Sequence, residues 1–273
     1  MELGLKGKTA IVTGGGSNIG RGIVLALAKE GCNVVNAEIS EKQGAKVAEE
    51  AKAVGGGGKV TWIKTDVTDW DSVQETAKKT MDEFGKIDIL VNNVGWTYDR
   101  LFMQKTREEW EKEIAINFWS DINCIRAVLP SMIENTYGRV IAIASDAGRE
   151  GEFREAVYGG CKGGVIALCK SLAKENARFG ITFNVICPSV TIPEKPEDVS
   201  ELSMHAPGGF GYDFSQKVPD IYQKMQANYP LAKAYNRIGR PEDIANGVVF
   251  FASDAASWIT GQVLSINGGY IMP

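Results

Sequence analysis

The feature that most constrains the fold of this chain is the alternation of short β-branched runs with longer amphipathic stretches. Strands that lie parallel in one sheet need crossover connections of a dozen or more residues, and these connections are usually helices. The amphipathic stretches between the β-branched runs are long enough to serve as such crossovers. The pattern therefore predicts an α/β fold with a doubly wound parallel sheet of about seven strands and helices on both faces.

Hydrophobic periodicity places these elements along the chain. The strands are predicted at residues 9–13, 33–37, 60–64, 87–92, 138–144, 182–186 and 263–267. The helices are predicted at residues 19–30, 41–54, 70–84, 107–134, 156–179 and 241–252. Each helix returns the chain to the start of another parallel strand.

The stretch from residue 189 to about residue 230 interrupts this rhythm with prolines, glycines and several aromatic residues. Long irregular segments inside a compact domain are more often functional lids than simple connections. We therefore expect one domain over residues 1–273, with a substrate lid at about residues 189–230.

The composition excludes several classes of function. The chain has 273 residues, a net charge of -4 and a sequence pI near 5.3, and no lysine and arginine cluster marks a nucleic-acid surface. Its apolar runs are far shorter than the roughly 20 residues of a membrane span, and its first residues lack a secretion signal. Five cysteines without a Cys-x-x-Cys pair indicate reduced thiols, and the single histidine, His205, argues against a His-rich metal site. We therefore expect a cytoplasmic protein with small-molecule ligands and no metal, nucleic-acid or membrane partner.

A glycine-rich turn follows the first predicted strand, where residues 13–20 read Thr-Gly-Gly-Gly-Ser-Asn-Ile-Gly. Glycines between a strand and a helix let a pyrophosphate approach the backbone N–H groups at the helix N-terminus. A merely tight turn is the alternative interpretation. The position directly after the first strand favours a dinucleotide site.

The second predicted strand runs into Glu38, about 20 residues beyond the glycine turn. A carboxylate there can accept hydrogen bonds from the adenosine ribose hydroxyls and would repel a 2'-phosphate. The turn carries Ser17, and Ile39 follows the acid, so neither position supplies a cation for that phosphate. The sequence therefore predicts NAD as the cofactor in preference to NADP.

Tyr158 and Lys162 are spaced to share one face of a helix. A tyrosine with its usual pKa of about 10 is a poor base at neutral pH, and a nearby cation favours the phenolate. Lys162 and a positively charged nicotinamide ring would supply such a field. Ser145, at the end of the preceding predicted strand, could bind the substrate oxygen. The spacing alone is weak, because such pairs occur by chance on ordinary helices.

The arrangement as a whole resembles the short-chain dehydrogenase/reductase family from about Leu5 to Ile271. The residues that carry the resemblance are the turn at 13–20, Asp66-Val67, Asn92-Asn93-Val94-Gly95, Asn117, Ser145, Tyr158 with Lys162, the segment 240–245 and the tail 259–269. The resemblance implies a Rossmann-like domain, usually in a homotetramer or a homodimer. We expect a homo-oligomer, with a tetramer favoured.

The resemblance also implies roles for individual residues. Tyr158 would be the acid/base, Lys162 its pKa tuner and a ligand of the nicotinamide ribose, and Ser145 the residue that orients substrate. Asn117 would hold a water in a proton relay. The implied cofactor-binding residues are Gly14, Ser17, Asn18, Ile19, Glu38, Asp66, Val67, Asn93, Gly95, Tyr158, Lys162 and Thr191. Among them Asp66 and Val67 would contact adenine, Asn93 the adenosine-side ribose region near the turn, and the backbone around Thr191 the nicotinamide carboxamide.

Structural interpretations remain open for several of these residues. Asn117 is also compatible with a helix kink, Asp66 with a turn cap and Asn92 with a strand-end amide. Asn18 stands where the family commonly has glycine, and asparagine tolerates the left-handed conformation better than most residues. Pro193 stands where a threonine is common, which leaves that cofactor contact open.

Residues 144–149 and 155–164, together with Trp96, are similar to the family branch that acts on hydroxyacyl-CoA thioesters, such as 2-hydroxycyclohexanecarboxyl-CoA dehydrogenases. This similarity implies oxidation of an alicyclic or aromatic β-hydroxyacyl-CoA to the β-ketoacyl-CoA. Phe210, Tyr212 and Phe214 of the lid either close over an apolar ring or simply pack the lid onto the core.

Other functions remain open at this stage: a dehydrogenase of free cyclic or aromatic alcohols, a silent NAD-binding subunit, or an epimerase or dehydratase of the same fold.

Overall fold

Seven strands form one parallel sheet, and their order positions the ligand cleft. The computed structural model describes residues 2–193, 195–203, 206–207, 212 and 220–273. The strands are β1 (Thr9–Thr13), β2 (Asn33–Glu38), β3 (Val60–Lys64), β4 (Ile89–Asn92), β5 (Gly138–Ile143), β6 (Ile181–Pro188) and β7 (Val263–Ile266). They lie in the order β3-β2-β1-β4-β5-β6-β7. The order reverses between β1 and β4, which is where open parallel sheets form a ligand crevice at the carboxyl ends of their strands.

Helices cover both faces of the sheet, as the sequence predicts. They are α1 (Asn18–Lys29), α2 (Glu41–Lys52), α3 (Trp70–Phe84), α4 (Arg107–Ile114), α5 (Ser120–Glu134), α6 (Ala147–Glu150), α7 (Ala156–Asn176), α8 (Ile221–Ala227), α9 (Pro230–Tyr235) and α10 (Pro241–Ala252). Residues of α1, α2 and α10 join one buried apolar cluster, and residues of α3, α5 and α7 join a second. In β1, Val12 belongs to the first cluster and Ile11 to the second, because successive strand side chains point to opposite faces. The predicted Rossmann-like fold is confirmed.

The predicted boundaries agree with the structure to within one or two residues for most elements. The main exception is the predicted helix at residues 107–134, which the structure divides into α4, a π-helical turn at Ala115–Trp119 and α5. The apolar period continues through the π turn, so the pattern could not reveal it. Such turns are often found at functional sites.

The described part of the predicted lid contains a 3-10 turn at Pro196–Asp198 and the short helices α8 and α9. Tyr212 is 37 % exposed. Phe210, Phe214 and His205, which the sequence analysis singled out, lie outside the described residues. The proposed closure of lid aromatic rings over a substrate therefore stays a prediction.

Three further expectations concern the cysteines, clusters of metal-binding side chains and membrane-spanning helices. All five cysteines are buried and free. Within the described ranges, no set of three or more histidine, cysteine, aspartate or glutamate residues is arranged to hold a metal ion. None of the helices described by the structure combines the length and apolar character that crossing a membrane would require.

Candidate active site

One large cleft of about 1010 Å³ lies at the carboxyl ends of the strands. It is lined by every residue that the sequence singled out for cofactor binding, from Gly14 in the glycine turn to Thr191 after β6, and by Ser145, Tyr158 and Lys162. Asn117 does not line it, although its neighbours Ala115 and Ile116 do. The tertiary structure thus gathers the predicted residues around one space large enough for a dinucleotide and a substrate.

The glycine turn between β1 and α1 has the close backbone approach that a pyrophosphate site needs. Gly14 has φ +62°, and Asn18 has φ 43°, which places an asparagine in the left-handed conformation as expected. A Cβ atom at Gly20 would overlap the Gly14 carbonyl oxygen, so only glycine allows the helix to begin this close to the strand end. The two glycines carry no side chain, so the turn stays open to the cleft at these positions.

The amino end of α1 carries groups suited to an anionic ligand. The Ser17 side chain makes no capping bond to this helix, so the first N–H groups of α1 have no side-chain cap. The Asn18 side chain donates to the Thr191 carbonyl over 3.1 Å, while its Oδ1 is buried without a hydrogen-bond partner among the described residues. Uncapped N–H groups and an unused buried oxygen beside a glycine turn fit a bound dinucleotide.

Asn93 holds the glycine turn in place through hydrogen bonds. Its Nδ2 donates to the carbonyl oxygens of Thr13 and Gly14 over 3.0 and 3.2 Å, and its backbone N–H donates to Thr13 Oγ1 over 2.9 Å. The side chain therefore fixes the carboxyl end of β1 against β4. Sequence reasoning assigned Asn93 to the ribose region and missed this bracing role.

Glu38 closes the adenosine side of the turn. It is 5 % exposed. Its Oε2 accepts the Gly16 N–H over 3.0 Å, and its Oε1 accepts the Ser40 N–H over 3.0 Å. Both oxygens retain further acceptor capacity, since an ionised carboxylate offers about four lone-pair sites. The carboxylate thus organises the turn and still presents a negative charge where a dinucleotide ribose is expected.

Asp66 and Val67 lie after β3 on the wall of the same cleft. Asp66 Oδ1 accepts both the N–H and the hydroxyl of Thr68, over 2.9 and 2.6 Å. The interpretation of Asp66 as a turn cap is therefore correct. Its carboxylate remains at the cleft, so a contact with adenine stays a prediction beside the observed capping role.

Asn117 occupies the π-helical turn between α4 and α5 and is fully buried. Its Nδ2 donates to the carbonyls of Trp96 and Glu113 over 2.6 and 2.8 Å, and its Oδ1 accepts the Trp96 N–H over 3.0 Å. These bonds use the amide to hold residues 95–97 against the helix. The kink interpretation is correct, and the relay water assigned to Asn117 stays a prediction.

Lys162 is 1 % exposed and extends from α7 toward the strand ends. Its Nζ donates to the carbonyls of Ile143 and Val94 over 3.0 and 3.5 Å. It lies 5.8 Å from the centroid of the Tyr158 ring. An ammonium has three donors, so one N–H is left for a ligand in the cleft.

Tyr158 and Ser145 both line the cleft. Burial raises the pKa of the Tyr158 phenol above its usual value, the negative charge of Glu155 raises it further, and the Ser145 hydroxyl acts in the opposite direction. Among the protein groups, loss of water around the phenol outweighs the other influences on this pKa. Stabilisation of the phenolate by Lys162, whose ammonium lies 5.8 Å from the ring centroid, and by a nicotinamide ring stays a prediction.

Glu155 lines the cleft one helical turn before Tyr158, and sequence reasoning missed it. Burial and the charges of Asp99 and Glu152 raise the pKa of Glu155 to about 7. Above that pH its negative charge disfavours the phenolate of Tyr158. The sequence signal was the acidic residue directly before α7, which also fits an ordinary helix start.

We expect Glu155→Gln to shift the pH profile of alcohol oxidation to lower pH. In the role that the resemblance implies, oxidation needs the phenolate form of Tyr158, and removing the carboxylate should lower the pKa of that phenol. The measurement is kcat/KM for oxidation against pH, with Glu175→Gln, an exposed acid of the same helix, as the control. A profile that moves to higher pH, or not at all, would contradict the electrostatic role of Glu155.

A buried ion pair supports the wall opposite the glycine turn. Lys105 Nζ lies 2.6 Å from Glu113 Oε1, with side chains 1 % and 0 % exposed. The same oxygen accepts the Thr97 hydroxyl and the Tyr98 N–H, each over 2.8 Å. The pair ties the segment after β4 to the helix that carries Asn117. Sequence reasoning missed it because Lys105 precedes the predicted helix and Glu113 looks like an ordinary polar position on the solvated face of that helix.

Comparison with known proteins gives consistent matches along nearly the whole chain. Residues 8–201 match the family model described as short chain dehydrogenase, and residues 206–271 match the model described as enoyl-(acyl carrier protein) reductase. The chain is similar to the 3-oxoacyl-(acyl-carrier-protein) reductase FabG of Staphylococcus aureus strain Mu50, with 37 % identity over 97 % of this chain and 98 % of the relative. It is also similar to the reductase of the same name from Escherichia coli K12, with 35 % identity over 99 % of this chain and 100 % of the relative.

Proposed function

Because the chain belongs to the short-chain dehydrogenase family, we propose that it is an NAD-dependent oxidoreductase that interconverts a β-hydroxyacyl-CoA and the corresponding β-ketoacyl-CoA. The observation that carries the proposal is the meeting of Ser145, Tyr158 and Lys162 at one end of a cleft whose other end is a glycine turn. The reaction class is oxidation of a secondary alcohol to a ketone, or its reverse.

The proton of the substrate hydroxyl is handled by Tyr158. In oxidation the phenolate oxygen accepts this proton, and the Ser145 hydroxyl donates a hydrogen bond to the same substrate oxygen. The dinucleotide, when bound, supplies the nicotinamide ring that accepts the hydride. In reduction the phenol returns the proton to the developing alkoxide, while Ser145 holds that oxygen in place.

Lys162 acts by position as well as by charge. Two of its N–H groups are fixed by the carbonyls of Ile143 and Val94, which leaves the third for the nicotinamide ribose. Burial lowers the pKa of Lys162, and the charge of Asp121 acts against that shift. Asp121 is itself buried, at 3 % exposed, and its negative charge favours the ammonium form of Lys162.

The preference for NAD rests on the charge at the adenosine end. Glu38 is buried at the cleft wall, and Ser17 and Ile39 beside it are uncharged. A 2'-phosphate would lie against a carboxylate, and like charges in such a position are strongly unfavourable.

We expect Glu38→Gln to improve binding of NADPH relative to NADH by about tenfold or more, since each 1.4 kcal/mol of relieved repulsion is a factor of ten. The measurement is the dissociation constant of each dinucleotide, read from nicotinamide fluorescence. Glu49→Gln, an exposed acid on α2, is the matched control for net charge. An unchanged ratio in the Glu38 variant would refute its role in discrimination.

The thioester assignment draws on the similar proteins and on the mouth of the cleft. The relatives named above are, by name, reductases of 3-oxoacyl groups on an acyl carrier protein. At the mouth, Lys112 Nζ lies 4.2 Å from the centroid of the Trp96 ring, and Phe153 is 75 % exposed. A cation beside apolar rings suits a substrate that consists of an apolar acyl group on an anionic carrier. We propose coenzyme A as that carrier.

The deciding experiment offers acyl-CoA, acyl-carrier-protein and free-alcohol substrates to the enzyme and follows NADH by absorbance. Turnover of hydroxyacyl-CoA compounds supports the proposal. Turnover of free cyclic or aromatic alcohols alone would replace the thioester assignment, and turnover of carrier-protein substrates alone would replace coenzyme A. Complete absence of redox turnover with a dinucleotide that stays bound would favour a silent NAD-binding subunit.

A further inference from the structure

The segment that follows β6 reaches back over the adenosine end of the cleft. We call residues 197–203 the clasp. The Ser200 N–H donates to Ser17 Oγ, at the glycine turn, over 2.9 Å. Ser200, Leu202 and Ser203 line the cleft together with Glu38 and Ile39. The clasp therefore forms a wall of the space in which the adenosine half of a dinucleotide would lie.

Asp198 anchors the clasp to α1 and α2. Its carboxylate lies 3.3 Å from Arg21 NH1 and 3.2 Å from Lys46 Nζ, and its side chain is 9 % exposed. Lys46 also donates to the Glu197 carbonyl over 2.7 Å. A carboxylate that bridges two cations from two helices fixes the position of the segment more firmly than an exposed ion pair does.

Glu201 brings a second carboxylate next to Glu38. The Ser40 hydroxyl donates to Glu201 Oε1 over 2.9 Å, while the Ser40 N–H donates to Glu38 Oε1 over 3.0 Å. Ser40, the second residue after β2, thus bonds to both acids. In the proposed site, a phosphate on the 2'-oxygen of the adenosine ribose would lie next to Glu38, near Ile39 and Ser40. It would therefore also lie near Glu201, which contacts Ser40.

The clasp also engages the cations of this region. Arg21 is paired with Glu50 over 2.8 Å as well as with Asp198. Hydrogen bonds from the Glu201 backbone and from Ser40, with a smaller effect of the Lys42 charge, lower the pKa of Glu201. Arg21, Lys42 and Lys46 would each attract a phosphate if they were unpaired. With the clasp in place, Arg21 and Lys46 are both paired with the Asp198 carboxylate.

We propose that Glu201, held beside Ser40 by the Asp198 anchor, is a second acidic determinant that makes this cleft select NAD over NADP. The inference rests on the proposed dinucleotide site and adds a residue from the lid, 161 positions from Ser40 along the chain, to the discrimination assigned to Glu38. Its physical basis is repulsion of the 2'-phosphate by Glu201, while Asp198 neutralises Arg21 and Lys46, which would otherwise stabilise that phosphate.

The test compares the dissociation constants of NADH and NADPH for the full-length enzyme and for Glu201→Gln. We expect the variant to improve NADPH binding relative to NADH by about three- to tenfold at low salt, since Glu201 is exposed and acts through solvent. The gain should shrink as ionic strength rises. Glu197→Gln is the matched control, because it removes the same charge from the clasp while only its backbone carbonyl is bonded to Lys46.

A second measurement asks whether the anchor carries the effect. In an Asp198→Asn background, the clasp loses its bridge to Arg21 and Lys46, so Glu201→Gln should change the NADPH to NADH ratio much less than it does in the wild type. An equal response of the Glu197 and Glu201 variants would overturn the proposal in favour of general charge. A ratio that Glu201→Gln leaves unchanged would also overturn it.

The outcomes separate this inference from the proposed function. If the wild type binds neither dinucleotide, both fall. If it prefers NADH and the ratio does not respond to Glu201→Gln, only the role of Glu201 falls. If the wild type prefers NADPH, the assignment of NAD and the selectivity assigned to Glu201 both fall.

Discussion

Tyr158→Phe is expected to lower kcat for both oxidation and reduction by about 10²- to 10⁴-fold, the usual contribution of a positioned acid/base. The substitution removes only the hydroxyl, and the ring remains beside Lys162. In the proposed site the dinucleotide is bound mainly by the glycine turn, Glu38 and Lys162, so its affinity should change little. The measurement is steady-state turnover alongside a fluorescence titration of NADH.

The control for this variant is Tyr137→Phe, which removes a hydroxyl that bonds Asp254 outside the cleft. It should keep normal turnover. Near-normal activity of the Tyr158 variant would remove the central claim about proton transfer. Loss of dinucleotide binding together with activity would assign the phenol to binding.

Lys162→Met is expected to lower kcat by about 10²- to 10³-fold, comparable with removal of a fixed donor from an active site, and also to weaken dinucleotide binding. The methionine side chain fills much of the same volume but offers no N–H to the nicotinamide ribose. It also leaves the carbonyls of Ile143 and Val94 without this partner. The combined loss of kcat and affinity distinguishes Lys162 from Tyr158, for which only kcat should fall.

Lys170→Met provides the matched control, since Lys170 is an exposed lysine two turns further along the same helix. Thermal unfolding of both variants establishes that the fold is intact. A folded Lys162 variant with unchanged dinucleotide affinity would contradict the ribose contact, and one with unchanged turnover would contradict its part in catalysis.

The sequence predicted the fold because its signals are local. β1, β3 and α3 lie at the predicted residues, since each apolar run is bounded by residues that end it. The glycine turn and the spacing of Tyr158 and Lys162 could likewise be recognised in the sequence. The turn lies within one strand-to-helix connection, and the two side chains lie on one helix. Parallel topology then placed their ends on one edge of the sheet.

Contacts between distant segments were not predicted. The structure shows the Asn117 amide bonded to Trp96 and Glu113, while its role in a water relay stays a prediction. It also shows Asn93 bracing the glycine turn, while its contact with the ribose region stays a prediction. An asparagine can donate and accept in several directions, and only the packed neighbours decide which partners it takes.

By itself, the sequence determined the order of strands and helices, the glycine turn and the pairing of a phenol with an ammonium on one helix face, because periodicity and spacing operate over a few residues. Only the tertiary structure decided that burial raises the pKa of Tyr158, that Lys105 and Glu113 form a buried pair, and that Glu201 lies beside Ser40. The physical reason is that desolvation and charge pairing depend on which distant segments exclude water from a group, and this is fixed only when the chain has packed.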